Sequence, residues 1–251
     1  MADRNSILKF LNDYLEISST NDRAMNGLQI EGKKEVKKII VGVSASKELF
    51  KKAIEQKADM IIVHHGLFWG DCLPLKGFLR ERINLLLSNN INLLAYHLPL
   101  DKHPIVGNNA QLINLFNISV IKPFGKYKGN FIGFKANFKK TEEISKILKT
   151  LHNNLFTEPL CLTFGKKKIK NLCVISGAAP EMMYQAIDEG LDLFLTGEPT
   201  EYVQEVAREN SLNFISIGHY NSERLGVIAL AKLISTKFDV KTTFIEIPNP
   251  I

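Results

Sequence analysis

Most histidines of this sequence follow short apolar segments of the kind that form buried strands. His64 and His65 come directly after MIIV, His97 after NLLAY, and His219 after NFISIG, while His103 lies six residues beyond His97. The carboxyl ends of parallel strands share one edge of a sheet, so these side chains are expected to gather there. Imidazoles and carboxylates collected in one place are what a borderline divalent cation such as Zn, Mn or Fe(II) requires. The clustering therefore predicts a metal site.

The His64-His65 pair predicts two cations and not one. Neighbouring side chains leave a strand on opposite faces, so this pair can hardly chelate a single ion while the strand geometry persists. In two-metal hydrolytic sites the ions lie roughly 3.5–4 Å apart, close enough for a shared carboxylate or hydroxide to bridge them. Asp101 or Glu223 can supply that bridge.

His219 and Glu223 are four residues apart, a spacing that places two side chains on one face of a helix. If Asn221 or Ser222 begins the helix that continues as ERLGVIALAKLI, both side chains can face one ion from its N-terminal end. These residues belong to the second half of the chain, so the site is expected between the halves, where clefts commonly form. We therefore predict five metal ligands: His64, His65, Asp101, His219 and Glu223.

Four further residues are candidates for other tasks at this site. His97 and His103 are predicted as further metal ligands, as hydrogen-bond partners of the ligands or as proton-transfer groups. Glu198 and Trp69 are predicted to bind substrate, although Glu198 also fits a carboxylate at a helix N-terminus and Trp69 also fits core or interface packing. A lone histidine is more often a surface residue than a ligand, and we apply that interpretation to His152.

The chain contains an internal repeat. Residues 41–63, VGVSASKELFKKAIEQKADMIIV, match residues 174–196, VISGAAPEMMYQAIDEGLDLFLT, at a constant offset of 133. The matched pairs are Val41/Val174, Ala45/Ala178, Glu48/Glu181, Ala53/Ala186, Ile54/Ile187 and Asp59/Asp192. Each copy predicts a β-α-β unit, followed by a helix and a third strand at 91–96 or 212–217. This alternation predicts an α/β fold with mainly parallel sheets flanked by helices.

Two domains are predicted, 1–125 and 126–251. Their boundary is placed in residues 121–130, IKPFGKYKGN, because this segment is rich in Pro, Gly and Lys.

The second domain is expected to open with a strand at 131–138 and a helix from Thr141, as its N-cap, to about Leu151. The final segment, KTTFIEIP at 241–248, alternates like a strand. It can pair with the sheet of either domain. If it pairs with the first sheet, it packs back on the first domain.

Composition limits the class of protein. The 251 residues carry a formal charge of +6, and no apolar run approaches the ~18 residues of a membrane span. The cysteines Cys72, Cys161 and Cys173 lack metal-type spacing, which argues against a disulfide framework or thiolate zinc site and favours the reducing cytoplasm. The charge suits a nucleotide partner but is modest for a dedicated nucleic-acid binder. The basic run at 166–168 predicts a solvated turn.

Five segments are distinctive when taken together. They are NGLQIEG (26–32), VHHGLFW (63–69), YHLPLDKHPIVGNNAQL (96–112), TGEPTEY (196–202) and GHYNSERLGV (218–227). In this order they resemble the GTP cyclohydrolase 1 type 2 homologue family, whose members are toroid-forming dinuclear metal proteins. The resemblance implies the same five ligands as the spacing. Two positions depart from many bacterial members, which have histidines where this chain has Tyr220 and Glu205.

The resemblance also implies two similar, intertwined α/β domains, a homohexameric ring with its sites facing an internal cavity, and two divalent ions per chain (Zn, Mn, Fe or Ni). The implied reaction is hydrolysis of a nucleotide or related heterocycle by a metal-bound hydroxide, as in opening the guanine imidazole ring of GTP with loss of formate. Phosphoester or amide hydrolysis on the same metals stays open. So does a non-enzymatic role as a metal-binding, regulatory or DNA-interacting ring.

Overall fold

The computed structural model describes residues 1–71 and 73–251, so Cys72 lies outside the described residues. The described chain divides into two compact units, each made of two segments. Unit 1 comprises Met1–Leu100 and Gly226–Pro248, and unit 2 comprises Asp101–Leu225 and Asn249–Ile251. The chain therefore leaves unit 1 and later returns to it, which interleaves the two units along the sequence.

Unit 1 is built on a five-stranded sheet. The strands of unit 1, two of which lie outside this sheet, are β1 (Ala2–Asp3), β2 (Gly27–Ile30), β3 (Glu35–Val36), β4 (Lys38–Ser44), β5 (Met60–His65), β6 (Asn92–Ala95) and β13 (Lys241–Phe244). Its helices are α1 (Arg4–Tyr14), α2 (Lys47–Glu55), α3 (Gly77–Ser88) and most of α10 (Arg224–Phe238), with a 3-10 turn at Ile17–Ser19. The sheet order is β13-β4-β5-β6-β2, and β1 and β3 form a separate two-stranded ladder.

Unit 2 is built on a six-stranded sheet. Its strands are β7 (Ile118–Tyr127), β8 (Asn130–Glu143), β9 (Leu160–Thr163), β10 (Lys168–Ile175), β11 (Leu193–Thr196) and β12 (Asn213–Ser216). Its helices are α5 (Asn108–Ile113), α6 (Ile144–Leu155), α7 (Met183–Asp188), α8 (Val203–Glu209) and α9 (His219–Ser222), with a 3-10 turn at Pro180–Met182. The sheet order is β7-β8-β10-β11-β12-β9, and a short helix α4 (Leu98–Asp101) carries the chain from unit 1 into unit 2.

The internal repeat is visible in the sheets. In unit 1, β4, β5 and β6 are parallel neighbours, and β2 pairs antiparallel with β6. In unit 2, β10, β11 and β12 repeat this arrangement, with β9 antiparallel to β12. The α/β class is as predicted. The mainly parallel character holds for unit 1, whereas in unit 2 the parallel centre is flanked by antiparallel strands on both sides.

Apolar strands buried on both faces explain why these segments form sheet centres. In β5, Met60 to Val63 are all fully buried. Helix α2 begins where the Ser46 hydroxyl accepts the Leu49 N–H at 3.1 Å, an N-cap that satisfies one free helix donor. Its residues Leu49, Phe50 and Ala53 then pack in the core of unit 1 with the side chains of β4 and β5. Unit 2 has its own core, in which α6 packs against β8 and β10.

A buried aspartate organises the amino-terminal end of each parallel sheet. In unit 2, Asp192 accepts hydrogen bonds from the backbone N–H groups of Lys170 (2.8 Å) and Asn171 (3.3 Å) and from Lys166 Nζ (2.7 Å). The amide of Asn213 bonds the carbonyl of Asp192 at 3.0 Å. In the basic run at 166–168, Lys166 is thus an ion-pair partner of a buried carboxylate as well as a turn residue.

The same contacts recur in unit 1. Asp59 accepts from the N–H groups of Lys37 (2.9 Å) and Lys38 (3.1 Å) and from Lys33 Nζ (2.8 Å), and Asn92 bonds the Asp59 carbonyl at 3.0 Å. Lys33, Lys37, Lys38 and Asp59 are related to their four counterparts by the offset of 133 found in the sequence. The duplication is therefore a duplication of structure.

Two local predictions differ from the structure. Residues 121–130 are not a linker, because they lie in β7 and in the turn to its antiparallel partner β8. The turn residues Lys128 and Gly129, both with positive φ, reverse the chain inside unit 2 and do not separate domains. The chain is divided at 100/101, 225/226 and 248/249, and not at 125/126 as predicted.

The prediction that Thr141 is the N-cap of a helix is also wrong. Strand β8 continues to Glu143, and α6 starts only at Ile144. The register of β8 against Lys168 and Ile169 holds Glu142 and Glu143 in extended conformation, so pairing overrides the local capping preference.

Segment 241–248 contributes β13, which pairs parallel to β4 in unit 1. None of the helices in the described part of the chain has the length and apolar character that a membrane span requires.

We expect Asp192→Ala to lower the free energy of unfolding by about 1–3 kcal/mol, because two backbone donors lose a buried acceptor. The Asp192 side chain is only 3% exposed. Urea denaturation followed by circular dichroism measures the effect. The matched control is Asp188→Ala, at an exposed position of α7, which should change the value by less than about 0.5 kcal/mol. Equal losses in the two variants would contradict the role given to Asp192.

Candidate metal centre

Three imidazoles meet at the carboxyl ends of β5 and β6 in unit 1. His64 and His65 are the last residues of β5, and His97 follows β6 by two positions. Their ring centroids are 4.6 Å apart for His64 and His65, 5.0 Å for His64 and His97, and 5.7 Å for His65 and His97. Each ring offers a nitrogen within 4.8 Å of one on each of the others, so the three can hold a metal ion.

Each of these rings is oriented through Nδ1. The partners are the Tyr96 carbonyl for His64 (2.9 Å), the Ser44 hydroxyl for His65 (3.1 Å) and the Asp22 carboxylate for His97 (3.0 Å). Metal-binding histidines characteristically use one ring nitrogen for such an outer contact, which fixes the ring and leaves Nε2 as the donor to the cation. The arrangement fits a metal site of imidazole ligands.

The NGLQIEG segment supports the two histidine-bearing loops. Asn26 accepts the backbone N–H of His97 at 2.8 Å, and Gln29 accepts the N–H of Leu67 at 2.7 Å. Trp69 is held by a hydrogen bond from its indole N–H to the Gly66 carbonyl at 3.1 Å. Its ring centroid lies 4.9 Å from that of His97, in an edge-on arrangement. The predicted substrate contact of Trp69 stays a prediction.

Unit 2 contains a second cluster, of two buried carboxylates and one imidazole. Asp101 is 6% exposed at the end of α4, and Glu223 is 2% exposed between α9 and α10. An oxygen of Asp101 lies within 4.8 Å of one of Glu223, and His219 Nε2 lies 3.2 Å from Glu223 Oε2. Asp101 accepts hydrogen bonds from Ser176 Oγ at 2.8 Å and from Asn108 Nδ2 at 2.9 Å.

Glu198 contacts the imidazole ring of His219. Its carboxylate is hydrogen-bonded to His219 Nδ1, so the structure gives this predicted substrate-binding residue a partner among the predicted ligands. Burial lowers the pKa of His219, but the hydrogen bonds and negative charges of Glu223 and Glu198 outweigh it and raise the pKa to about 9. Without a cation, His219 is therefore a protonated imidazole between two carboxylates.

Gly177 permits the close approach of Glu223 to the loop after β10. Its φ is +69°, and a Cβ at this position would lie 2.6 Å from Glu223 Oε1. The Gly177 carbonyl also accepts the backbone N–H groups of Gly197 (3.0 Å) and Glu198 (3.1 Å). A side chain at 177 would disturb the position of Glu223, since it meets both a strained backbone conformation and a steric clash.

The long helix expected to start at Asn221 or Ser222 starts later, at Arg224, and a separate helical turn precedes it. His219 opens the single turn α9, and Glu223 lies in the junction before α10. The i, i+4 spacing nevertheless brings the two side chains together, because the junction keeps a helix-like path.

The other named residues have mostly structural contacts. His103 Nδ1 accepts the N–H groups of Ile105 (3.2 Å) and Val106 (3.1 Å), which shapes its turn. Glu205 is exposed and pairs with Arg208 at 2.8 Å on α8, whereas Tyr220 is buried. The reactive roles proposed for His97 and His103 stay predictions.

The residues that orient His97 and several of the predicted ligands were missed by sequence reasoning. They are Asp22, Ser44, Asn108 and Ser176. None has a spacing that marks it, because each contacts its histidine or carboxylate through tertiary structure or strand pairing. Only the NGLQIEG motif, four residues after Asp22, pointed to that segment.

The fold and these clusters define a class: duplicated α/β proteins with groups of imidazoles and carboxylates that can bind metal at strand ends. Residues 2–250 match the Duf34/NIF3 (NGG1p interacting factor 3) family, and the chain belongs to this family. The predicted resemblance is confirmed.

Relatives and solved structures agree with this membership. The Pyrococcus abyssi protein named GTP cyclohydrolase 1 type 2 homolog is 42% identical over 248 residues, 98% of this chain and 99% of its own. The Archaeoglobus fulgidus protein of the same name is 39% identical over 97% of each chain. The crystal structure of TTHA1606 from Thermus thermophilus has a TM-score of 0.93 at 33% identity, with both chains fully covered.

We expect the metal-free protein to lose stability as the pH rises from about 6.5 to about 9. The pKa of His219 is about 9 in the folded protein and near 6.5 in an unfolded chain. The ion pairs of protonated His219 are thus fully present below pH 6.5 and are lost as the pH passes 9. Thermal unfolding midpoints of chelator-treated protein measure this slope.

Glu198→Gln should reduce that slope, because it removes one of the two charges that raise the pKa of His219. Glu158→Gln is the matched control, since Glu158 pairs with His152 at an exposed site. A Glu198→Gln profile with the wild-type slope would argue against this account.

Proposed function

We propose that this protein is a dinuclear metal-dependent hydrolase with His64, His65, Asp101, His219 and Glu223 as ligands of two divalent cations. The observation that carries the proposal is the orientation of the imidazoles in unit 1. Their Nδ1 atoms are engaged by neighbouring groups, so Nε2 is the donor that each ring offers to a cation. Asp101 and Glu223 are buried carboxylates. Because burial removes most of the water around their charges, a bound cation is a favourable partner for them.

The expected chemistry follows from the donor set. A pair of divalent cations held by imidazoles and carboxylates lowers the pKa of bound water and polarises the substrate. The chain's own residues would orient these ligands: Asp101 through Ser176 and Asn108, and His219 through Glu198. Trp69, whose ring lies beside that of His97, would stack on a planar substrate.

The proposed substrate is a nucleotide or related heterocycle, because the names of the two archaeal relatives refer to GTP cyclohydrolase. Phosphoesters and amides are the competing substrate classes for the same metals.

Family resemblance further suggests a hexameric ring. The free thiols among the described cysteines, Cys161 and Cys173, suit a cytoplasmic setting.

We expect about two divalent cations per chain after reconstitution and removal of excess metal. Elemental analysis of the wild type, Asp101→Ala and Glu223→Ala measures the count, and each variant should lose at least one cation because a ligand to the pair is removed. His152→Ala is the matched control, since His152 lies on α6 in unit 2, outside both clusters. Retention of two cations by Asp101→Ala would contradict the proposed ligand set.

We expect metal-loaded protein to release formate from GTP, and Asp101→Ala to reduce the rate by more than about 100-fold. A coupled formate assay measures this, with other nucleotides, phosphodiesters and amides tested in parallel. Formate release that survives Asp101→Ala would exclude the cyclohydrolase reaction at this site. Turnover of another class alone would identify a different hydrolase, and no turnover with any substrate would favour a non-enzymatic role.

A further inference from the structure

His97 is held as firmly as the proposed ligands beside it, although it is not one of the five. Its Nδ1 lies 3.0 Å and 3.2 Å from the two oxygens of Asp22. Its backbone N–H is fixed by Asn26 at 2.8 Å. The edge-on contact with Trp69 restrains the ring from another side. The side chain is therefore fixed before any cation binds.

Asp22 is itself a buried, fully engaged carboxylate. Its side chain is 3% exposed and accepts hydrogen bonds from the N–H groups of Ala24 and Leu98, both at 3.0 Å, and from Asn26 Nδ2 at 3.0 Å. With the bond to His97, these contacts leave the carboxylate little freedom to turn away from the ring.

An ionised carboxylate can only accept hydrogen bonds, so Nδ1 of His97 must carry the proton that joins them. In the neutral ring the lone pair is then on Nε2. This is the tautomer that a metal ligand needs. A carboxylate, a histidine and a cation in series are a recurrent arrangement, in which the carboxylate orients the ring and makes it a stronger donor.

The ring of His97 also lies close to the other two imidazoles. His64, His65 and His97 offer nitrogen atoms that all lie within 4.8 Å of one another. Because two of these residues are proposed ligands, the third can reach the same cation with little movement. Structural packing alone does not require a buried carboxylate at the far nitrogen.

We propose that His97 is a sixth metal-binding residue of this site and that Asp22 is its positioning residue. The inference rests on the proposed function in one respect only, namely that the imidazole cluster binds divalent cations. It does not depend on the substrate or on turnover.

Cobalt(II) binding to the full chain tests the proposal through two readouts, the dissociation constant from chelator competition and the visible absorption spectrum. His97→Ala should weaken binding of one cation about 10–100-fold and change the spectrum, because one nitrogen donor is lost. Asp22→Asn should weaken binding about 10-fold, since a neutral amide no longer strengthens the donor.

Two controls separate positioning from folding. Asp59→Asn alters a buried carboxylate in the same unit, beside Lys33 and before the first residue of β5, and should leave cobalt affinity and spectrum unchanged. His152→Ala removes a histidine outside the clusters and should behave likewise. Adding Asp22→Asn to His97→Ala should cause no further loss of affinity, because Asp22 acts only through His97.

The outcomes are distinct for the two proposals. A wild type that binds two cobalt ions, with His97→Ala unchanged in affinity and spectrum, would overturn the sixth-ligand proposal and leave the proposed function standing. An additive loss in the double variant would overturn the positioning role of Asp22. A wild type that binds no cobalt ion would defeat both proposals.

Discussion

The candidate site depends on hydrogen bonds to the imidazole nitrogen that does not face the cation. A histidine is a useful ligand only if its ring is fixed and its proton is on the far nitrogen. Here His64 uses a backbone carbonyl, His65 a hydroxyl, and His97 and His219 use carboxylates. The sheets make this possible, since parallel strands bring the ends of distant segments to one edge. Much of the polar structure around the clusters serves this orientation.

Each parallel sheet carries polar structure at both ends, with different tasks. At the amino-terminal end, Asp59 and Asp192 bind backbone donors of the neighbouring strand and fix strand order. At the carboxyl end, the side chains of the predicted ligands gather. Stabilising contacts are thus spatially separated from the predicted ligands, which include buried carboxylates whose mutual repulsion is unfavourable without a cation.

Sequence reasoning succeeded where one interaction dominates. Apolar strands, the 133-residue offset and the histidines at strand ends predicted the α/β units and the residues of both clusters. It failed where tertiary pairing decides. The Pro- and Gly-rich segment at 121–130 became a hairpin strand, and Thr141 was drawn into β8 by its partner β10. Asp22 could not be predicted, because only the folded chain brings it to His97, 75 positions away.

The two copies of the repeat differ at the positions beside the predicted ligands. Position 65 in the first copy is a histidine, and its counterpart at 198 is a glutamate that holds His219. Position 44 is a serine whose hydroxyl supports His65, while its counterpart Gly177 lacks a side chain. A serine at 177 would collide with Glu223, and a glycine at 44 would leave His65 without that support. The corresponding strand ends of the two copies thus carry different polar groups, and the residues at positions 44 and 177 suit the groups that lie beside them.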